Sequence, residues 1–313
     1  MKPEILLIAR IFPPTQAALE RDYVLHDLTT ATDPAALLEK VAGNVRGAVT
    51  TVLVGFDRAR MEALPKLEII VSLGNSNGPI DLAAAKESGV IVAITPDSIQ
   101  ELVAELAMGL AVAIMRKVCE TDRFVRAGKW LEATPPMGIS LIGKTCGIVA
   151  LGRIGRGIAR RAEAFGMNVC YHGPSRKDDV PYPYYSDLEE MARRSDCLMV
   201  TSPLLPATRG LISARVLDAL GARGFLVNVA RGPVVDERAL VDALKERRIA
   251  GAALDVFWDE PRVPEELFPL DNVVLMPHMG TATLDVREER GRKVLANLAA
   301  HFAGQPVPYP LSV

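Results

Sequence analysis

The sequence predicts an α/β protein built from two doubly wound, parallel-sheet domains. Its length of 313 residues is typical of two domains, and its hydrophobic fraction of 49% is enough to bury two cores. Short β-rich runs alternate with helical stretches in both halves of the chain. Because this alternation is typical of parallel strands joined by covering helices, each half is expected to form its own parallel sheet.

The first third of the chain predicts the first sheet. Four β-rich runs there are separated by helical stretches, and the chain then continues into a long apolar helix between Pro96 and Gly128. We expect that helix to span residues 98–126 and to connect the domains. The predicted strands are 5–9, 47–52, 67–72 and 90–94, and the predicted helices are 34–41 and 79–88.

A second alternating series begins at Thr145 and predicts a dinucleotide-binding sheet of six strands. The last helix, 283–302, follows the sixth strand and is expected to return to the first domain. One domain would then comprise residues 1–97 and 284–313, and the other residues 98–283. The six predicted strands are 145–150, 168–171, 197–201, 225–229, 251–256 and 273–276.

Charge and cysteine usage narrow the range of partners and locations. The net charge is −2, with 36 basic and 38 acidic residues mixed along the chain, so no nucleic-acid or membrane-surface partner is expected. No apolar run reaches the roughly 18–20 residues that cross a bilayer, and the N-terminus lacks a signal-peptide layout. The widely spaced cysteines indicate reduced core thiols in a cytoplasmic protein, without a metal: Cys119, Cys146, Cys170 and Cys197.

The turn after the first strand of the second series is rich in glycine. Glycine lets the backbone approach a pyrophosphate, and a helix N-terminus supplies N–H donors. Ala150 occupies the first glycine position of the usual G-x-G-x-x-G pattern, and a turn without a ligand is the alternative interpretation. The candidate cofactor-binding residues in this turn are Leu151, Gly152, Arg153, Ile154 and Gly155.

The end of the second strand predicts which nicotinamide cofactor is used. An NAD site usually places an acid there to bind the ribose hydroxyls, but Gly173 stands near that position. Ser175, Arg176 and Lys177 follow, and their donors and positive charges would attract a 2′-phosphate. This favours NADPH, with NADH possible. Two aspartates further into the loop oppose that interpretation, and a solvated basic turn is the alternative.

Three ionisable residues each follow a strand-like run: Arg231, Glu260 and His278. An arginine can hold a carboxylate through its planar fork, a histidine can move a proton, and an acid can orient that histidine. Together they indicate reduction of a 2-keto acid by a nicotinamide cofactor. Taken singly, Arg231 could be a surface ion-pair former and Glu260 could lie in a solvated turn.

Other polar residues have predicted structural roles. Asp236 and Glu237 are expected to cap the helix that follows Arg231. His301 is expected on the surface of the last helix.

Six motifs in order resemble the D-isomer-specific 2-hydroxyacid dehydrogenases, and most closely their glyoxylate/hydroxypyruvate reductase branch. The resemblance runs from about Leu67 to the C-terminus. It implies a Rossmann cofactor domain inserted in a flavodoxin-like substrate domain. The motifs are T-P-D near Thr95, F-V-R-A-G-K-W ending at Trp130, L-G-R-I-G, V-A-R-G-P-V-V-D, A-L-D-V-F-W-D-E-P and P-H-M-G-T-A-T.

The resemblance also implies residue roles and a partner. Arg231 would bind the substrate carboxylate and His278 would donate the proton, while Glu260 orients the histidine. Asp255 would bind the nicotinamide carboxamide. A homodimer would form through the cofactor domains, with residues 126–139 as a protruding arm. Further implied cofactor contacts are Ser202, Pro203, Thr208, Val229, Ala230 and Gly280.

The substrate loop departs from the family pattern. Leu73, Gly74 and Asn75 match the substrate-binding position, but Ser76 and Asn77 make this stretch unusually polar. The sequence therefore leaves the individual 2-keto acid open. Two other functions remain: an NAD-dependent D-2-hydroxyacid dehydrogenase with another substrate, and a nucleotide-sensing, corepressor-like binding protein. The second would not need the arginine, glutamate and histidine together.

Overall fold

In the computed structural model of this protein, residues 2–96 and 99–311 are described. The chain divides into two compact units, one comprising Met1–Asp97 with Ala282–Val313 and the other Ser98–Thr281. We refer to them as the terminal unit and the central unit. Each contains one parallel sheet with helices, which confirms the predicted fold class.

The terminal unit contains a five-stranded sheet with the order β2-β1-β3-β4-β5. Every neighbouring pair is parallel, so each connection must cross over the sheet. Its elements before the central unit are β1 Glu4–Leu7, α1 Pro13–Asp22, β2 Val24–Asp27, α2 Pro34–Val41, β3 Val45–Thr51, α3 Arg58–Glu62, β4 Ile69–Leu73, α4 Leu82–Glu87 and β5 Ile91–Ile94.

Aspartate caps determine where three of these helices begin. The side chain of Asp33 accepts hydrogen bonds from two N–H groups at the start of α2, where Pro34 occupies the first helical position. Asp57 caps α3 and Asp81 caps α4 in the same way. The helix predicted from residue 79 therefore begins later, at Leu82.

Sequence reasoning missed β2, α1 and α3. The edge strand β2 contains no buried residue, so it lacks the apolar run that marks the inner strands. In α1, which begins with two prolines, only Thr15 and Leu19 are buried. The five-residue α3 buries only Met61 and is too short to show a helical period.

The central unit contains a seven-stranded parallel sheet with the order β12-β11-β10-β9-β6-β7-β8. The six predicted strands are present, and the seventh is the two-residue edge strand β8, which pairs with β7. The elements are α5 Ile99–Met115, α6 Val118–Arg126, β6 Thr145–Val149, α7 Arg153–Ala164, β7 Asn168–His172, β8 Tyr184–Tyr185, α8 Leu188–Arg194, β9 Cys197–Val200, α9 Ala214–Leu220, β10 Phe225–Asn228, α10 Glu237–Lys245, β11 Gly251–Leu254 and β12 Val273–Leu275.

The prediction of one long helix over 98–126 was wrong, because α5 and α6 are separate helices. Lys117 lies between them in the left-handed region, at φ 56°. The carbonyl of Met115 accepts a hydrogen bond from the N–H of Ile139 at 2.7 Å, which draws the later segment against the break. Gly138 permits this approach, since a Cβ there would lie 2.7 Å from the Cα of Arg116. The predicted start at Ser98 falls outside the described residues.

The last helix, α11, spans Leu284–Phe302 and lies in the terminal unit. Thr283 caps it, and Gly291 allows it to approach α1 closely, since a Cβ there would lie 2.2 Å from Oγ1 of Thr15. The surface position predicted for His301 was wrong. Its side chain is only 14% exposed, and its Nε2 lies 2.9 Å from Oε2 of Glu68.

The cysteines are free thiols, and three of the four lie in the core as predicted. Burial raises the pKa of Cys170 to about 11 and that of Cys197 to about 12. It also raises the pKa of Cys146 well above its ordinary value, whereas Cys119 is only half-buried. Within residues 2–96 and 99–311, no helix combines the length and apolar character needed to span a membrane.

Candidate active site

The turn between β6 and α7 has the shape of a dinucleotide-binding turn. Ala150 adopts the left-handed region at φ 76°, which is uncommon for a residue other than glycine. Its N–H donates to the carbonyl of His172 at 2.8 Å, and its carbonyl accepts from Oγ1 of Thr201 at 2.7 Å. Contacts from β7 and from the end of β9 therefore hold Ala150 in the conformation that the usual glycine adopts freely.

The start of α7 can bind an anion. A Cβ on Gly155 would lie 2.6 Å from the carbonyl oxygen of Ala150, so glycine allows the helix to lie close against the turn. Gly152 is the N-cap residue and supplies no side-chain cap. An uncapped helix N-terminus with N–H donors at the edge of a parallel sheet favours a phosphate group. These residues fit the pyrophosphate of a dinucleotide.

The loop after β7 carries the residues predicted to select the cofactor. Ser175 and Arg176 are exposed, and Arg176 has no hydrogen bond or ion pair within the described ranges. Asp179, which could repel a phosphate, instead pairs with Arg156 at 2.9 Å. The hydrogen bond from Arg156 lowers the pKa of the Asp179 carboxyl. One of the two opposing aspartates is thus compensated by a cation of α7.

The segment after β10 positions Arg231. Asn228 is fully buried, and its side chain accepts from the N–H of Ala230 at 3.0 Å and donates to the carbonyl of Arg231 at 3.2 Å. This amide shapes the turn that contains Val229 and Ala230. The Arg231 side chain extends to the exposed side, where Nη1 donates to the carbonyl of Ala230 at 2.6 Å.

The Arg231 turn packs directly against the segment that leads to Glu260. A Cβ on Gly232 would lie 2.1 Å from the carbonyl carbon of Phe257, so only glycine permits this approach. Nε1 of Trp258 donates to the carbonyl of Val235 at 2.7 Å and joins the two segments a second time. The sequence reasoning did not assign Gly232 or Trp258 to the site, although both lie inside the motifs that revealed it.

Glu260 and His278 form a hydrogen-bonded pair. Oε2 of Glu260 lies 2.7 Å from Nδ1 of His278, and its Oε1 accepts from the N–H of Phe257 at 3.0 Å. Burial raises the pKa of Glu260, but the hydrogen bonds from His278 and Phe257 outweigh that effect and lower it overall. An ionised Glu260 places the proton of His278 on Nδ1 and leaves Nε2 available to a substrate.

Asp255 holds the segment that contains His278. The Asp255 side chain is buried, and its carboxylate accepts from the N–H groups of Met279 at 2.6 Å and Gly280 at 2.9 Å. The N–H of His278 donates to the Asp255 carbonyl at 2.9 Å. His278 itself adopts φ 55°, in the left-handed region. Burial raises the pKa of Asp255, and the two N–H donors oppose that shift.

The predicted cofactor contacts after β9 are largely engaged within their own turn. Oγ1 of Thr208 donates to the carbonyl of Pro203 at 2.6 Å and accepts from the N–H of Leu205 at 2.8 Å. Ser202 is buried at the start of this turn. The Thr208 hydroxyl therefore shapes the turn.

The predicted substrate loop lies in the terminal unit, at the carboxyl end of β4. The N–H of Gly74 donates to Oγ1 of Thr95 at 2.9 Å, and Nδ2 of Asn77 donates to the carbonyl of Gly78 at 2.8 Å. Asn75 and the following Ser76 are exposed. The unit's own contacts thus shape this loop and leave polar side chains at its surface.

In the central unit, the candidate residues follow successive strands of one parallel sheet. The turns after β6, β7, β9, β10, β11 and β12 lie at the same edge, because the carboxyl ends of parallel strands face the same way. This edge combines an uncapped helix start, an exposed arginine and a histidine–glutamate pair. Across the described residues, no cluster of His, Cys, Asp or Glu is suited to hold a metal ion.

A protein-family model and two related sequences match most or much of this chain. Residues 108–280 match the model of the D-isomer specific 2-hydroxyacid dehydrogenase, NAD binding domain. The chain is 44% identical to glyoxylate/hydroxypyruvate reductase A of Arabidopsis thaliana, covering 94% of each chain. It is 41% identical to hydroxyphenylpyruvate reductase of Plectranthus scutellarioides, covering 98% of each.

A solved structure with similar architecture is the NADPH-dependent glyoxylate/hydroxypyruvate reductase of Sinorhizobium meliloti in complex with NADP and malonate. Its TM-score is 0.78 at 35% identity, over 100% of this chain and 97% of that one. The chain belongs to the D-isomer-specific 2-hydroxyacid dehydrogenase family and is an oxidoreductase with a nicotinamide-cofactor domain.

Proposed function

We propose that this enzyme reduces small 2-keto acids, foremost glyoxylate and hydroxypyruvate, to 2-hydroxy acids and prefers NADPH. The observation that carries the proposal is the 2.7 Å pair between His278 and Glu260, in a segment beside the turn of Arg231. The turns at the carboxyl ends of the central unit's strands would bind the cofactor, and Leu73, Gly74 and Asn75 remain the substrate contacts proposed from the sequence.

In the proposed mechanism, each of the three residues has one task. Arg231 binds the substrate carboxylate through its planar fork and stabilises negative charge that develops on the carbonyl oxygen. His278 donates a proton to that oxygen, and Glu260 stabilises the imidazolium and fixes the ring orientation. The bound cofactor supplies the hydride for the carbonyl carbon. In the oxidation direction His278 accepts the proton.

The geometry favours catalysis over a corepressor-like role. A binding protein would need the dinucleotide turn, but it would not need a histidine held at a positive φ with its ring anchored by a carboxylate. Backbone strain of this kind persists when the surrounding structure enforces it, and it is concentrated at functional sites. Here Asp255 and Glu260 both hold the His278 segment.

The NADPH preference is supported by charge at the loop after β7. Gly173 stands where an NAD site usually has an acid, Arg176 is exposed, and Asp179 is paired with Arg156. The Sinorhizobium meliloti relative is NADPH-dependent. A charge-assisted hydrogen bond of about 1.5–3 kcal/mol would favour NADPH by roughly 10- to 100-fold.

Steady-state kinetics test the proposal. We expect turnover of glyoxylate and hydroxypyruvate, with a lower KM for NADPH than for NADH. An aromatic 2-keto acid is tested as a third substrate. Arg176→Ala should raise the KM for NADPH and leave that for NADH nearly unchanged. Arg223→Ala is the matched control, since Arg223 is also exposed but precedes β10 at the opposite edge of the sheet.

Two outcomes would contradict the proposal. Absence of turnover with every 2-keto acid and both cofactors would reject the reductase function. Equal or better use of NADH would reject the NADPH preference alone. In that case the NAD-dependent dehydrogenase of another substrate becomes the better description.

We also propose that the protein is a homodimer, paired through its central units. The arm at 126–139 presents large apolar side chains to solvent, with Trp130 67%, Leu131 94% and Met137 87% exposed. Adjacent exposed apolar residues of this size mark protein–protein contacts. Sedimentation should give a dimer at micromolar concentration, and Leu131→Asp should weaken it. A monomeric wild-type protein would reject this proposal.

The remaining parts of the proposal concern location and partners. Buried, reduced thiols are consistent with a cytoplasmic enzyme. The nearly balanced, mixed charges favour a small-molecule substrate over a nucleic acid or a membrane surface.

A further inference from the structure

Two tyrosine hydroxyls hold the ends of the loop that follows β7. The Tyr171 hydroxyl accepts a hydrogen bond from the N–H of Lys177 at 2.6 Å and donates to the carbonyl of the same residue at 3.5 Å. The Tyr184 hydroxyl donates to the carbonyl of Gly173 at 3.1 Å. One end of the 173–177 loop is therefore fixed to β7 and the other to β8.

The two tyrosines form a single rigid support. Tyr171 lies in β7 and is only 1% exposed, so its ring cannot move independently of the sheet. Its ring centroid is 5.3 Å from that of Tyr184, with the planes tilted by 46°. Tilted aromatic pairs at this separation attract each other in addition to the area they bury. The two hydroxyls consequently keep a constant spacing.

We propose that Tyr171 and Tyr184 are positioning residues that make the enzyme selective for NADPH by preforming the 173–177 loop. This inference rests on the proposed NADPH preference. Between the fixed ends, Pro174 restricts the backbone further. Ser175 and Arg176 then extend from a loop whose backbone is ordered before the cofactor arrives.

Preorganisation strengthens binding because less conformational freedom is lost when the ligand arrives. The benefit is confined to a ligand that engages Ser175 and Arg176, which requires a 2′-phosphate. NADH lacks that group, so a looser loop should weaken its binding far less. Neither tyrosine needs to touch the cofactor for this effect, and the chemical step should be unaffected.

Tyrosine-to-phenylalanine substitutions test the inference, because they remove the hydroxyl and keep the ring. The variants are Tyr171→Phe, Tyr184→Phe and the double substitution. Tyr182→Phe is the matched control, since its hydroxyl donates to Glu163 on α7 at 3.0 Å and, among the described residues, forms no hydrogen bond with the 173–177 loop. Kd values for NADP⁺ and NAD⁺ are measured by titration, and kcat and KM are measured with glyoxylate.

Each single loop variant should bind NADP⁺ roughly three- to ten-fold more weakly, about the effect of one lost hydrogen bond, and the double variant should bind it more weakly than either. Binding of NAD⁺ should change by less than about two-fold, and kcat with saturating NADPH should be retained. Tyr182→Phe should keep the wild-type ratio of the two Kd values. The ratio is the decisive measurement, because general damage to the fold would weaken both cofactors alike.

The outcomes separate this inference from the function on which it rests. If the wild-type protein binds NADP⁺ no better than NAD⁺, the cofactor proposal fails and the inference fails with it. If the wild type prefers NADP⁺ and the variants keep the same ratio, only the inference is overturned. Equal weakening of both cofactors also overturns it. If Tyr171→Phe does not fold, the half-buried Tyr184→Phe decides the result.

Discussion

Replacing Asp255 by asparagine tests how the His278 segment is held. The carboxylate accepts two backbone hydrogen bonds, from the N–H groups of Met279 and Gly280. An asparagine side chain has nearly the same shape, but only its Oδ1 can accept. Its Nδ2 would face the second N–H, so one buried donor would lose its partner.

The expected fall in kcat/KM follows from the strength of the lost hydrogen bond. A hydrogen bond to a charged group contributes about 1.5–3 kcal/mol, and an unsatisfied buried donor costs a comparable amount. His278 also carries strain at φ 55°, a conformation that costs on the order of 1–3 kcal/mol without support. A net loss of about 1.5–3 kcal/mol in the transition state corresponds to a fall in kcat/KM of roughly 10- to 100-fold.

The assay compares kcat, KM, cofactor Kd and Tm for the wild type and Asp255→Asn. Asp236→Asn is the matched control, because Asp236 accepts one N–H at the exposed start of α10, in the same unit. We expect the loss mainly in kcat for Asp255→Asn and little change in activity for the control. A folded Asp255→Asn protein whose kcat/KM stays within about two-fold of wild type would refute the reasoning. If only the affinity for the cofactor falls, Asp255 acts through its predicted contact with the nicotinamide carboxamide and not by holding the His278 segment.

The pH dependence of the wild type provides a second check on Asp255. Because its pKa is raised by burial, the carboxyl takes up a proton at a higher pH than an ordinary aspartate, for which the pKa is about 3.9. Protonation weakens its acceptance of the two N–H bonds, so activity should fall as the pH is lowered through that raised value. Asp255→Asn should lack this acid limb. If both proteins lose activity at the same low pH, the loss is due to the titration of a group other than Asp255.

The remaining predictions concern the arginine, its neighbouring glycine and the thiols. Arg231→Lys should lower kcat/KM by about 10²-fold or more, because an ammonium cannot reproduce the planar fork. Near-normal kinetics of this variant would show that Arg231 does not belong to the site. Gly232→Ala should lower Tm and activity together, since its Cβ would lie 2.1 Å from the Phe257 carbonyl carbon; an unchanged Tm would contradict the packing. A thiol reagent should modify Cys119 alone in the native protein and all four cysteines after unfolding, and rapid native reaction of more than one would contradict the burial.

The parallel strands explain why much of the site could be predicted from the sequence. Each catalytic candidate follows an apolar β-rich run, and the carboxyl ends of such runs meet at one sheet edge. The pairing of Glu260 with His278 was anticipated, and the two are hydrogen bonded at 2.7 Å. The capping role of Asp236 was also confirmed, because capping depends on residues only a few positions apart.

The features that could not be predicted depend on partners distant in sequence. His301 bonds to Glu68, 233 residues away, and no local pattern records that contact. The break between α5 and α6 depends on Ile139, whose N–H bonds to a carbonyl that a continuous helix would have used. The clamp by Asp255 involves backbone donors 24 and 25 residues away, which have no sequence signature.

Strained backbone occurs both in the turn proposed to bind the cofactor and at the proposed proton donor. Among the described residues, only four besides glycine have a positive φ, and Ala150 and His278 are two of them. Ala150 lies in the turn that would bind the cofactor, and His278 would transfer the proton. Side chains enforce both conformations: Oγ1 of Thr201 bonds to the Ala150 carbonyl, and Asp255 bonds to the residues after His278. Because strain persists only where the surroundings enforce it, Thr201 and Asp255 are as necessary to the site as the strained residues themselves.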